Sequence, residues 1–166
     1  MNPVGELLHV DGIDLELDVA DRPALLERVA GLLARRYGLV EREVLEGLSQ
    51  REQIGSTALG HGVAIPHARM AQCRKAAAVF VRTKFPIPFD APDNKPVSVF
   101  LAVLVPRQAT EQHLQLLATA ATMFNDRAFR ERLRTCPDPG SACELLAAWP
   151  DSPGAMSNPI AATPAA

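Results

Sequence analysis

Extended and helical segments alternate along this chain, which predicts an α/β fold: one layered domain. Three observations carry that expectation. Short stretches with a two-residue apolar period give way to longer ones in which apolar residues recur every three or four positions. The run 97–105 is apolar at almost every position, as a strand buried on both faces requires. The length of 166 residues, 48% hydrophobic and 22% charged, fits one domain whose core needs neither disulfide nor structural metal.

The elements follow in order. Over 13–19, Ile13, Leu15, Leu17 and Val19 alternate with Asp14, Glu16 and Asp18, a half-buried strand. Asp21 reads as a helix N-cap, and Pro23 fits the first turn, where a missing N–H costs little. Leu25, Leu26, Val29, Leu32 and Leu33 then form one apolar stripe that stops at Gly38. A second helix is expected over 41–49, with Val44, Leu45 and Leu48 inward. Gly60 and Gly62 bracket His61 and predict a tight turn between two short strands, the second of which, 63–65, ends at Pro66. Residues 76–81 are a third extended segment, and 85–96, with four prolines, a loop. The buried strand 97–105 follows. Thr110 caps a helix to about residue 124, with Leu114, Leu117, Ala121 and Phe124 at core spacing. Asp126 caps a short helix carrying Phe129 and Leu133, and Asp138 with Pro139 opens a last one.

The domain is expected over 13–149, between a flexible N-terminus (1–12) and a disordered tail (150–166). That tail holds small residues, four prolines and a single charge, too little to bury a core. With 17 basic and 19 acidic side chains the formal charge is −2, which excludes the basic footprint of a general nucleic-acid binder. No apolar run approaches the ~18 residues of a membrane helix, and MNPVGELLHVDG lacks a signal-peptide core. A cytoplasmic protein without membrane insertion is expected. Cys73, Cys136 and Cys143 form no C-x-x-C pair, so neither a disulfide framework nor a zinc knuckle is indicated.

Chemistry is sought first among four histidines. His67 follows a strand and a proline in Ala64-Ile65-Pro66-His67-Ala68-Arg69, at the sheet rim where α/β folds place their sites. Pro66 stiffens the approach, and rigid placement is what a nucleophile needs. His113 is the third residue of the helix that Thr110 caps. Free N–H groups and the helix dipole there favour a dianion such as phosphate. Two such histidines suit phosphoryl chemistry, one as neutral nucleophile and the other as donor to phosphate oxygens.

Further segments join these. Arg51-Glu52-x-x-Gly55-Ser56-Thr57, Gly60-x-Gly62-Val63-Ala64-Ile65-Pro66-His67, Pro86-Ile87, Phe89-Asp90, Leu104-Val105-Pro106 and His113-Leu114 together resemble an enzyme IIA component. The system is the bacterial phosphoenolpyruvate-dependent phosphotransferase system, in its fructose/mannitol class, and the nitrogen-regulatory subgroup is the nearest. The resemblance covers roughly 13–149. It implies a mixed β-sheet flanked by helices, and phosphate acceptance by His67 from a phosphohistidine on a small carrier protein. It also implies that His113 is the second active-site histidine and that Arg51 lies near the phosphate. No metal or nucleotide cofactor is implied, only a covalent phosphohistidine. The expected partners are the phosphocarrier and either regulated target proteins or a IIB subunit.

Plainer readings stand beside these. His67 as a strand-end surface residue, His113 as a partial cap and Arg51 as a snorkelling side chain are the bland alternatives. Arg69 reads as a partner-facing charge, Ser56 and Thr57 as makers of turn hydrogen bonds, His61 as an exposed turn residue, His9 as surface and Cys73 as inert. Three rival functions follow: a binding module without phosphate transfer, a IIA subunit of sugar uptake, and a metal-dependent hydrolase using His61, His67 and His113. The last lacks an acidic ligand of suitable spacing.

Overall fold

The computed structural model describes residues 2–150, which fold around one six-stranded sheet. Strand β1 (Ile13–Leu17) runs parallel to the long β5 (Ala77–Ile87), which pairs antiparallel with β6 (Val97–Pro106). On the far side of β6 lie β3 (Val63–Ala64) and β4 (His67–Met70), both parallel to it, and β2 (Ala58–Gly60) pairs antiparallel with β3. The sheet is therefore mixed. In β6 only Ser98 and Pro106 escape burial, as its unbroken apolar sequence predicts.

Strand β4 has no counterpart among the sequence expectations, and the register explains it. Val63 pairs with Val99, Ala64 with Phe100 and His67 with Val103, the same offset throughout. β3 and β4 thus follow one line along β6, interrupted where Pro66 has no N–H to give. Pro66 keeps its place through its carbonyl, which accepts from the Val103 N–H at 2.9 Å.

Helices cover both faces. Helix α1 (Pro3–Leu7) precedes β1 in the chain, and α2 (Arg22–Tyr37) starts at the Asp21 cap, whose carboxylate accepts from the Ala24 N–H at 2.9 Å, and stops at Gly38, φ +67°. Helix α3 (Glu41–Ile54) runs five residues past the predicted 41–49. α2 and α3 bury Leu25, Val29, Leu33, Val44 and Leu48 against Phe100, Ala102 and Leu104 of β6. Full burial of a side chain such as Phe100 or Leu104 stabilises the fold by roughly 1.5–3 kcal/mol. The opposite face carries α4 (Glu111–Asn125), α5 (Arg127–Thr135) and α6 (Pro139–Ala147), with Leu116, Ala120, Met123 and Leu133 packed on Val99, Leu101 and Val103. Asp126 and Asp138 cap α5 and α6 as expected. Leu114, expected in the core, is 54% exposed, because the buried stripe of α4 runs through Leu116, Ala120, Met123 and Phe124, and Leu114 lies off it.

Two further expectations are corrected. Residues 1–12, expected to be flexible, contain the docked α1, with Val4 fully buried. Asn2 caps it (Gly5 N–H, 2.8 Å), and its amide nitrogen donates to the carbonyls of Leu146 and Trp149, both at 2.9 Å. Those partners lie at the other end of the sequence, beyond any local pattern. The predicted loop 85–96 begins later, since β5 continues to Ile87, which pairs with Val97 across a register shift that accommodates Pro86. The predicted tail lies, apart from Pro150, outside the described residues. Among these, no helix is long and apolar enough to cross a membrane.

Candidate active site

His67 opens β4, half-buried between the buried Pro66 and Ala68. Its Nδ1 lies 2.7 Å from the Ile65 carbonyl oxygen. A carbonyl only accepts, so the neutral ring carries its proton on Nδ1 and presents a bare Nε2. The carbonyl is available because the chain breaks step at Pro66. The Ile65 N–H is spent on the Thr57 carbonyl (3.0 Å), and the next carbonyl, that of Pro66, takes the ladder bond. Burial depresses the His67 pKa below its ordinary 6.5, against the Ile65 bond that raises it, and the charges of Arg51 and Arg69 push it further down. Each influence but the Ile65 bond favours a neutral ring.

His113 sits at the third position of α4, where a capping box ordinarily has Glu or Gln. Its Nδ1 accepts from the Thr110 N–H at 3.0 Å, with the Thr110 hydroxyl 3.2 Å away. This ring carries its proton on Nε2. The plain reading as a cap is what the contacts show, and the cap leaves the Nε2–H free. His67 and His113 belong to the same side of the sheet. Val103, which pairs with His67, packs in the cluster under α4, whereas the next residue, Ala68, packs under α3.

Arg51 lies in the last turn of α3, where its Nη1 donates to the Gly55 carbonyl at 2.7 Å. That bond caps the helix and holds the guanidinium close enough to depress the His67 pKa. Ser56 and Thr57 make loop hydrogen bonds as expected. The Ser56 hydroxyl donates to the Phe89 carbonyl and accepts from the Ala58 N–H. His61 is exposed in the hairpin turn, where Gly60, His61 and Gly62 all have positive φ. A side chain on Gly62 would meet Arg134, whose guanidinium donates to the His61 carbonyl. His9 is exposed and caps a turn through the Asp11 N–H. Burial raises the Cys73 pKa, which disfavours the thiolate.

Sequence reasoning missed two contributors, Thr110 as the fixer of the His113 tautomer and Glu52. Glu52 is buried and its carboxylate binds Thr57. The spacing Thr110-x-x-His113 was a signal for the first. For the second the signal was its spacing, four residues after Leu48 and on the buried stripe of α3. The described residues hold no cluster of three or more His, Cys, Asp or Glu side chains placed to bind a metal, which the hydrolase reading requires.

A family model described as "Phosphoenolpyruvate-dependent sugar phosphotransferase system, EIIA 2" matches residues 6–149. The chain belongs to this enzyme IIA family. Membership makes it a phosphoryl-transferring component of the phosphotransferase system. A "Nitrogen regulatory protein" from Pseudomonas aeruginosa is 36% identical over 138 residues, spanning 82% of this chain and 85% of that relative. The crystal structure of the nitrogen regulatory protein IIA-Ntr from Neisseria meningitidis is similar at 41% identity and TM-score 0.83, over 86% of this chain and 98% of that one. IIA mannitol from Escherichia coli shares the fold, at TM-score 0.72 and 21% identity over 84% of this chain and 98% of that one. Both solved enzyme IIA structures have the architecture described above, as the resemblance implied.

Proposed function

We propose that this enzyme IIA relays phosphate through His67 and controls partner proteins by its phosphorylation state. One observation carries the acceptor assignment: the Ile65 carbonyl holds the proton on Nδ1 of a half-buried ring, so Nε2 has a free lone pair. In the step, Nε2 attacks the phosphorus of a phosphohistidine on a carrier protein. A P–N bond forms at His67 as the carrier's P–N bond breaks, and the carrier's imidazole leaves with the electron pair. Both are phosphoramidates, so transfer is nearly balanced and reversible. The protein's work is positioning and charge stabilisation on three oxygens. His113 supplies its Nε2–H, and Arg51 a permanent positive charge near His67. This step uses no metal or nucleotide.

Regulation draws its support from the nitrogen-regulatory relatives. A phosphoryl group adds about −1.5 to −2 of charge at His67, enough to change how a partner surface docks. The donor is a small histidine-phosphorylated carrier, and the setting is the cytoplasm. Sugar uptake through a IIB subunit is the competing role. Deleting the gene is expected to leave fructose and mannitol uptake intact, and selective loss of uptake would favour that role.

Labelling tests the acceptor. With phosphoenolpyruvate and the two upstream phosphocarriers, the wild type is expected to take an acid-labile, alkali-stable label and His67→Ala none. A label that survives in His67→Ala moves the acceptor elsewhere, and a wild type that takes none leaves a binding module.

A further inference from the structure

One buried carboxylate has no part in the transfer just described. Glu52 follows Arg51 in the last turn of α3 and is 5% exposed. Both its oxygens accept from one residue, since Thr57 gives its backbone N–H to one at 3.2 Å and its hydroxyl to the other. Arg22 stands 4.0 Å away, drawn more closely to Asp90 at 3.1 Å. Burial raises the Glu52 pKa, while the Thr57 bonds and the charges of Arg22 and Arg51 lower it. A carboxylate buried with so few close partners is costly. Its geometry shows a use.

The hydrogen bonds continue from Thr57 to the acceptor ring. The Thr57 carbonyl accepts from the Ile65 N–H at 3.0 Å, and the Ile65 carbonyl accepts from His67 Nδ1 at 2.7 Å. On the other side of Ile65, Pro66 fixes its own φ and is held to β6 by the Val103 N–H. The sheet therefore sets one flank of the Ile65 carbonyl, and Thr57 sets the other. Thr57 lies in the loop between α3 and β2, and Glu52 is the described partner of its N–H.

We propose that Glu52 is a positioning residue: by fixing Thr57 it fixes the Ile65 carbonyl, and so holds the His67 ring in the single tautomer and orientation that aims Nε2 at the incoming phosphoryl group. The inference rests on His67 as the acceptor. Its test nevertheless needs no phosphate. Nitrogen-15 spectra of the unphosphorylated full chain, at a pH where the ring is neutral, read the His67 tautomer directly. The wild type is expected to show the Nδ1–H form, and Glu52→Ala a mixture of both. Phosphoryl acceptance by Glu52→Ala is expected to slow about 10–100-fold in kcat with KM for the carrier little changed, as small misplacements of reacting groups do. Glu52→Gln keeps one acceptor oxygen for Thr57 and is expected to recover much of the rate. Should Glu52→Ala unfold, Thr57→Val removes only the hydroxyl bond and is expected to shift the tautomer mixture less, in the same direction. A folded variant of either kind with the wild-type tautomer overturns the proposal. Label that does not depend on His67 overturns the acceptor assignment instead, whatever the spectra show.

Discussion

The two site histidines are held by opposite halves of the peptide group. At His67 the backbone offers a carbonyl, that of Ile65, exposed by the break at Pro66. At His113 it offers an amide, that of Thr110, left over at a helix start. A carbonyl demands a proton on Nδ1, and an amide demands a bare Nδ1. The same side chain thereby bares an Nε2 lone pair at the strand and keeps an Nε2–H at the helix, each set by the backbone group that Nδ1 meets. The surroundings differ as well. Buried neighbours and a sheet ladder brace the first, whereas the second is flanked by the exposed Gln112 and Leu114. Backbone context decides the chemistry of each ring.

That contrast can be broken at either end. After the complete loss of label in His67→Ala, the largest effect is expected at the helix: His113→Ala should slow transfer about 100-fold, the loss typical of removing one donor from a developing charge. It should also cost about 1 kcal/mol in thermal unfolding, since the cap goes with it. His113→Gln restores an acceptor for the Thr110 N–H and should regain the stability but not the rate. Wild-type labelling kinetics in His113→Ala would dissolve the paired site.

Thr110→Pro sharpens the comparison more gently. The φ of Thr110 is −86°, which proline accepts, so the change deletes the donor that pins His113. Transfer should fall several-fold, while nitrogen spectra show the His113 tautomers mixed and His67 unchanged. A change at His67 would mean that the two anchors are coupled.

The smallest effect is on pH dependence. The folded His67 takes a proton less readily than the unfolded chain, whose pKa is near 6.5. Stability is therefore full above about 6.5 and falls as acid titrates the unfolded ring, levelling once pH passes the lower folded value. Urea midpoints across that window should show a slope that His67→Ala flattens. The acid limb of phosphoryl acceptance should likewise lie below 6.5, and a limb above it would contradict the burial of the ring.

Local rules made most of the frame legible. Asp21, Gly38, Asp126 and Asp138 mark helix ends because each cap bonds within three or four residues of itself. What the sequence hid depends on distant partners. Strand β4 exists only through its register with β6, and a proline stands where the ladder should continue. Helix α1 holds because Asn2 reaches the end of α6, across nearly the whole chain. Within the site, the motif brought out His67, His113 and Arg51, since residue type and context coincide there. Glu52 stood in the same motif with no role attached, because burial of a helix carboxylate is decided by what packs over it.

The break at Pro66 has one more consequence. A site that must admit another protein at a sheet margin risks recruiting foreign strands, since unpaired backbone groups template edge-to-edge association and fibre growth. At His67 the margin is the four residues of β4, headed by an imino acid and bearing the exposed cation of Arg69. Such a margin is too short and too charged for a second chain to zip onto. The same interruption that frees a carbonyl for the imidazole thus also keeps this stretch of margin short.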